Sequence, residues 1–123
     1  MRWMSLAIIL CCLSSTTLAT EKRCGWYENP TPGNHWFIDR DATWILGAQG
    51  KDLVNGFWDA ERKDPDIWNT ASWIKPYPTV CGCFEGVFGE VDANRYGKVD
   101  RIETVEHLSL DRCENDPSLP QMR

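Results

Sequence analysis

The clearest strand pattern in the chain covers residues 80–92, VCGCFEGVFGEVD. Val80, Phe84 and Phe88 would lie on one face of a strand, because side chains alternate between its two faces. The opposite face would carry Cys81, Cys83, Val87 and Val91. Apolar side chains on both faces predict a central strand that is covered on both sides.

Glycines in and after this strand have two predicted roles. Gly82 and Gly86 lie on either side of Phe84 on its own face, and they are expected to leave room for a neighbouring ring. The segment ANRYG at residues 93–97 is typical of a hairpin turn, in which Gly97 is expected to supply a positive φ.

A return strand is predicted over residues 98–110. Its apolar residues recur every three positions, which is the period of neither a strand nor a helix; they are Val99, Ile102, Val105 and Leu108. The β-branched content and the preceding turn favour a strand that contains a bulge.

The first half of the chain predicts a turn and a hairpin. The segment NPTPGN at residues 29–34 is rich in residues that fix or free φ, and it predicts a turn. Two β-rich runs at residues 35–38 and 43–46, separated by DRDA, predict the two strands of a hairpin.

The middle of the chain has weaker signals. Residues 47–63 combine glycine, asparagine and charged residues, and they favour a long loop over a weak helix. The segment DPDIWN at residues 64–69 begins like a helix with proline at its first position, and it predicts one helical turn. A short strand is predicted at residues 72–75.

Together these elements predict a single mainly-β domain. We expect a small antiparallel sandwich or open barrel that is stapled by disulfides and carries one or two short helical turns. An α+β arrangement rich in β-structure is the alternative.

The N-terminus predicts a cleavable export signal over residues 1–19. Arg2 precedes an apolar run at residues 6–13, which is too short to span a bilayer, and the small residue Ala19 marks the expected cleavage site. We therefore expect a periplasmic or secreted protein without a membrane anchor, whose domain occupies residues 20–123.

Four cysteines remain after this cleavage: Cys24, Cys81, Cys83 and Cys113. An even number in a small exported domain is typical of a disulfide framework. Cys81 and Cys83 are two residues apart on one strand, at the limit of disulfide geometry, so we expect each to pair with one of the other two. Either order is compatible with the spacing.

The charge of the chain restricts its partners. The formal net charge is −5, and loss of Arg2 with the signal would make it −6. An acidic protein is a poor ligand for nucleic acid and for anionic membrane surfaces, whereas it suits a basic protein partner.

The order of rigid residues resembles the DUF4087 family of small exported bacterial domains. The resemblance is carried by RCGW, NPTPGN and DRD in the first half, and by the Cys-x-Cys strand, GKVDRI and LSLDRCENDP in the second. It covers Arg23 to about Leu119 and is weakest over residues 51–69. It implies a periplasmic or secreted bacterial protein and supplies no catalytic residues.

Few residues are candidates for chemistry. His35 and His107 are expected to be surface or packing residues, and the common serine- and zinc-hydrolase motifs are absent from the sequence. Asp39 and Asp41 could hold a Ca²⁺ or form a carboxylate pair at a hairpin tip, but we interpret them first as residues that shape the turn. We expect no metal and no cofactor.

The aromatic residues suggest a binding surface. Trp26, Trp36, Trp44 and Trp73 lie in or beside strand patterns and are expected in the core, whereas Phe57 and Trp58 lie in the polar loop. Exposed aromatic rings are typical of protein interfaces and of sugar-stacking platforms.

Three functional hypotheses follow, in decreasing order of support. The first is a non-enzymatic protein that binds another exported protein, such as an inhibitor or immunity protein of a basic cell-wall hydrolase. The second is a module for a small ligand or glycan that stacks on Phe57 and Trp58. The third is a small hydrolase that uses carboxylates such as Asp39 and Asp41.

Overall fold

The computed structural model describes Cys12 and residues 19–63 and 79–122. In these ranges the chain forms β1 (Glu21–Thr31), β2 (Asn34–Ile38), β3 (Thr43–Gly47), α1 (Phe57–Arg62), β4 (Thr79–Val91), β5 (Tyr96–Leu108) and α2 (Leu110–Glu114). Most of the predicted export signal lies outside the described residues, as do the helical turn predicted at 64–69, the strand predicted at 72–75, and Trp73. No helix within the described ranges has the length and apolar character needed to cross a bilayer.

The five strands form a closed barrel in the order β1-β2-β3-β5-β4. Neighbouring strands are antiparallel except for β3 and β5, which are parallel. This order, with α1 between β3 and β4, is the connectivity of the OB-fold, a five-stranded Greek-key barrel. The mainly-β class and the short helices are confirmed, and pairing of β1 with β4 closes the barrel so that it has no free sheet edge.

The two predicted turns of the first half are present. Thr31 pairs with Asn34 across Pro32 and Gly33, whose φ is +82°, so proline and glycine occupy the two positions that suit them in a type II turn. β2 and β3 form the predicted hairpin, in which Trp36 pairs with Ile45 and Phe37 with Trp44.

An aromatic core fills the barrel. The ring centroids of Phe37 and Phe84 are 4.5 Å apart, and those of Trp44 and Phe88 are 5.0 Å apart. The predicted inner face of the central strand is confirmed, because Val80, Phe84 and Phe88 all belong to this core. Trp44 is buried in it as expected, whereas Trp36 is only half-buried on the outer side of β2.

Two bulges explain the unusual period of β5. Its register with β4 skips Asp100 and then Glu103. Each skipped residue reverses the alternation of side chains along the strand. The apolar residues three positions apart therefore all reach the barrel interior; they are Val99, Ile102 and Val105. The prediction of a bulged strand is confirmed, although the strand ends at Leu108 and α2 follows it.

The predicted roles of the glycines are wrong. Arg95, and not Gly97, has the positive φ of the β4–β5 turn, at +67°. Gly97 is required because a Cβ there would lie 2.2 Å from Cε3 of Trp44. A Cβ on Gly86 would lie 2.1 Å from the carbonyl oxygen of Arg101, so this glycine permits a close approach of the β5 backbone and does not make room for a ring.

The disulfides staple both ends of the domain to β4, as predicted. Cys24 pairs with Cys83 and Cys81 with Cys113, which assigns the order that the sequence left open. The second bridge holds α2 against the outside of the barrel, where Trp26 is buried and donates its indole N–H to the carbonyl of Pro120 at 3.0 Å.

The two bridges are expected to differ in their reactivity towards reductants. Cys24 is exposed, whereas Cys81 and Cys113 are buried, and thiol–disulfide exchange requires access to sulfur. Under mild native reduction, alkylation followed by peptide mapping should label Cys24 and Cys83 well before the other pair. Equal labelling rates for all four cysteines would contradict this expectation.

Candidate functional site

The segment 47–63, for which the sequence favours a loop over a weak helix, contains the helix α1. This helix changes which residues can form the candidate binding face. Phe57 has an exposed fraction of only 1% and belongs to the barrel core, whereas Trp58 is 53% exposed. The prediction that both rings are exposed is wrong for Phe57. Trp58 is the ring of this pair that can contact a partner.

Backbone contacts fix the position of α1 at the end of the barrel. Val54 donates its N–H to the carbonyl of Leu46 at 2.9 Å, and Ile102 donates to Asn55 at 2.9 Å. Gly56 precedes the helix with a φ of +80°, and a Cβ there would lie 2.1 Å from the carbonyl oxygen of Ile102. The approach of this loop to β5 thus turns Phe57 inwards and Trp58 outwards.

Trp58 is seated on the rings beneath it. Its centroid is 6.3 Å from that of the His35 imidazole, in an edge-on arrangement, and 6.1 Å from that of Phe57. Phe57 in turn stacks on Phe84 at 6.4 Å. The core therefore restricts the motion of the exposed indole, which lowers the entropic cost of using it in binding.

A buried polar cluster lies under α1. The hydroxyl of Tyr27 and Nδ1 of His35 are hydrogen-bonded at 2.5 Å, and both residues are buried. Burial lowers the pKa of His35, while burial and the neighbouring Glu61 raise the pKa of Tyr27. His35 is thus a packing residue, one of the two roles expected for it, and both rings are neutral at pH 7.

Glu61 completes this cluster, although its place in the sequence does not predict a functional residue. Its exposed fraction is 2%, and its Oε1 atom has no hydrogen-bond partner in the structure as described. Burial raises the pKa of Glu61 to about 8. The spacing of Phe57, Ala60 and Glu61, which puts all three on the buried face of one helix, is the signal that could have identified it.

The other candidate residues lie around Arg23. Nη1 of Arg23 donates to Oδ2 of Asp39 at 3.0 Å and to Oδ2 of Asp41 at 2.7 Å, and its Nη2 lies 2.9 Å from Oε2 of Glu21. The guanidinium carbon also lies 4.7 Å from the ring centroid of Trp44, within cation–π distance. Arg23 therefore joins the barrel core to three carboxylates, of which that of Asp39 is buried.

Asp39 shapes the β2–β3 turn as predicted. Its Oδ1 accepts the backbone N–H groups of Asp41 and Ala42 at 2.8 and 3.0 Å, which is the Asx-type bonding expected at this tip. Asp41 has a different role, because its carboxylate pairs with Arg23 and this hydrogen bond lowers its pKa. A carboxyl that is held ionised is a poor proton donor, so this geometry gives little support to a carboxylate hydrolase.

A polar cleft of about 350 Å³ lies beside these residues. Its lining includes four carboxylates and three cations; these are Glu21, Asp39, Asp41, Asp116, Lys22, Arg23 and Arg40. Across the described ranges, no group of three or more His, Cys, Asp or Glu residues has the arrangement of a metal site. Arg23 pairs with Glu21, Asp39 and Asp41 in this cleft, whereas Lys22 pairs with Glu106 outside it and Asp116 accepts hydrogen bonds from Ser118.

The fold separates the two candidate regions. His35, at the start of β2, lies under Trp58, whereas Asp39 follows the end of the same strand. Four residues of extended chain place these positions about 13 Å apart. Trp58 is also not among the residues that line the cleft beside Asp39 and Asp41.

Comparison with known proteins places the chain in a family without an assigned activity. A family model described as "Protein of unknown function (DUF4087)" matches residues 18–120. Neither the curated proteins nor the solved structures contain a match. Because the family match spans most of the 123 residues, the resemblance carried by the cysteine and proline motifs is confirmed, and the chain belongs to the DUF4087 family.

Proposed function

We propose that this protein is a non-enzymatic binding protein, periplasmic or secreted, which acts through contact with another exported protein. The proposed partner is a basic cell-wall hydrolase, which the protein inhibits. The observation that carries the proposal is Trp58, a large aromatic side chain that is half-exposed and yet seated on buried rings.

The environment of Trp58 suits a protein interface. Tryptophan is among the residues most enriched at energetic hot spots of interfaces. Its neighbours on the exposed side of α1 are Asp59 and Arg62, which are bonded to each other. A rigid indole with a polar rim is the arrangement expected at the centre of such a contact.

Two properties of the whole chain support the partner and the compartment. The net charge of −5 favours the approach of a basic protein and would speed association at low salt. The two disulfides favour an oxidising compartment, which agrees with the predicted export signal.

The test compares Trp58→Ala with Tyr96→Ala, which removes a similarly exposed ring at the β4–β5 turn. Binding to a panel of purified basic muramidases, amidases and lytic transglycosylases is measured by calorimetry, together with inhibition of their activity. Trp58→Ala should weaken binding by about 2–4 kcal/mol, as expected for an aromatic anchor, and Tyr96→Ala should leave it unchanged.

Two results would contradict the proposal. One is that the wild-type protein binds no member of the panel, and the other is that Trp58→Ala binds as tightly as the wild type. The glycan-binding alternative is tested in parallel with chito-oligosaccharides. Quenching of tryptophan fluorescence that disappears in Trp58→Ala would favour that alternative.

A further inference from the structure

The short helix α1 buries an acidic side chain. Its inner face consists of Phe57, Ala60 and Glu61, while Trp58 and Asp59 point outwards. Glutamate is rarely buried unless it is paired, because an ionised carboxylate loses its hydration in an apolar environment. Glu61 has an exposed fraction of 2% in this position.

The carboxyl of Glu61 is not neutralised by an ion pair in the structure as described. Its Oε1 has no hydrogen-bond partner there, and the salt bridges between described residues near α1 involve other groups. Arg62, the next residue, bonds with Asp59 on the outer face of the helix, and its charge lowers the pKa of Glu61 by less than burial raises it. A buried carboxyl without a cation is stable only while it carries its proton.

Among the residues that the structure describes, the groups near Glu61 on neighbouring elements do not supply a compensating charge. Tyr27 from β1 and His35 from β2 are hydrogen-bonded to each other and are neutral at pH 7. From β5, against which α1 packs, Arg101 and Glu103 pair with each other at 2.9 Å and are partly exposed. Of these groups, Glu61 is the one whose loss of a proton would place a charge beneath α1.

We propose that ionisation of Glu61 releases α1 from the end of the barrel, so that the protein loses the fixed placement of Trp58 as its surroundings become alkaline. The release of α1 is a property of the isolated protein. The consequence for binding through Trp58 rests on the proposed function.

The direction of the effect follows from proton linkage. Burial raises the pKa of Glu61 to about 8, above its value in an unfolded chain. Between the unfolded and folded pKa values, the folded protein with α1 docked keeps a proton that the unfolded chain has released. The contribution of Glu61 to stability is complete below the unfolded pKa. It is lost progressively as the pH rises towards the folded pKa.

The first experiment measures the unfolding equilibrium in urea between pH 5 and 9 for the wild type, Glu61→Gln and Asp59→Asn. Glu61→Gln removes the titration with little change of shape, and Asp59→Asn makes the same chemical change at an exposed position of the same helix. Between about pH 5 and 8 the unfolding constant of the wild type should rise by about tenfold per pH unit relative to Glu61→Gln. Asp59→Asn should behave like the wild type, and an identical pH dependence of Glu61→Gln and the wild type would overturn the proposal.

A second experiment needs no variant and follows the isolated wild-type protein directly. The ¹³C resonance of the Glu61 carboxyl should titrate with a midpoint near pH 8. Amide hydrogen exchange of α1, corrected for the intrinsic effect of pH, should show less protection at pH 9 than at pH 6. A midpoint below pH 6, or equal protection at both pH values, would show that Glu61 does not control the helix.

The binding consequence is measured separately with a hydrolase that depends on Trp58. Its affinity should fall between pH 6 and 9 for the wild type, relative to Glu61→Gln. Absence of any partner would contradict the proposed function but would leave the titration and the exchange results unchanged, so the two failures are distinguishable.

Discussion

Replacing Phe57 by alanine is expected to destabilise the domain by about 3–5 kcal/mol, the usual cost of removing a buried phenylalanine. Phe57 is 1% exposed and contacts the rings of Tyr27, His35 and Phe84. Its loss would leave a cavity between α1 and the barrel. Urea denaturation of the variant and the wild type at one fixed pH measures this cost.

Trp58→Ala is the matched control for this measurement, because it removes a larger ring from the next position of the same helix. Its cost should be about 1 kcal/mol or less, since half of the ring is already in water. If the two variants were equally destabilised, the assignment of Phe57 to the core and Trp58 to the surface would be incorrect. The binding role proposed for Trp58 would then lose its structural basis.

Replacing Arg23 by methionine is expected to cost about 3–5 kcal/mol, because it leaves the carboxylate of Asp39 buried without its cation. The side chain of Asp39 is only 4% exposed, and that of Arg23 is 19% exposed. Methionine retains much of the apolar packing of the arginine stem against Trp44, so the measured loss reports chiefly the charge. Thermal and urea unfolding at pH 7 would both measure it.

Two comparisons identify the source of this cost. Arg40→Met removes a cation from the exposed tip of the same turn and should change stability by about 0.5 kcal/mol or less. In Arg23→Met/Asp39→Asn the buried charge is absent, so part of the loss should be recovered. Additive costs in this double-mutant cycle would show that Arg23 acts through its packing and not through Asp39.

The candidate site could be predicted only in part from the sequence. The polar, glycine-bearing segment around Trp58 was identified as a surface that carries an aromatic residue, and this holds for Trp58. The same reasoning placed Phe57 beside it, because a loop prediction gives neighbouring residues the same exposure. Once the segment is a helix docked at residues 56 and 57, adjacent side chains point in different directions and only one remains exposed.

The cluster under α1 shows why charged core residues escape sequence analysis. Glu61 looks like any surface glutamate of a polar segment, and its burial depends on where the helix packs against β5 and the end of the barrel. Tyr27 and His35 meet across the paired strands β1 and β2. Tyr27 pairs with Phe37, and His35 lies two residues before Phe37 on β2. Such contacts depend on strand register, which the local pattern leaves undetermined.

The sequence by itself determined the mainly-β class, the β2–β3 hairpin, the two-faced central strand and the bulged return strand. These are local properties, because the alternation of side chains and the conformational limits of proline and glycine act over a few residues. It also determined that each of Cys81 and Cys83 bonds a distant cysteine, since two residues on one strand are poorly placed to bond each other.

Only the tertiary structure decided the closure of the barrel, the parallel pairing of β3 with β5, the order of the disulfides and the reason for Gly97. Each depends on which distant segments become neighbours. The order of the bridges depends on the pairing of β1 with β4, and position 97 needs glycine because the Trp44 ring of another strand lies against it. Closure of the barrel determines these contacts jointly, because the register of one strand pair fixes the register of the next pair around the barrel.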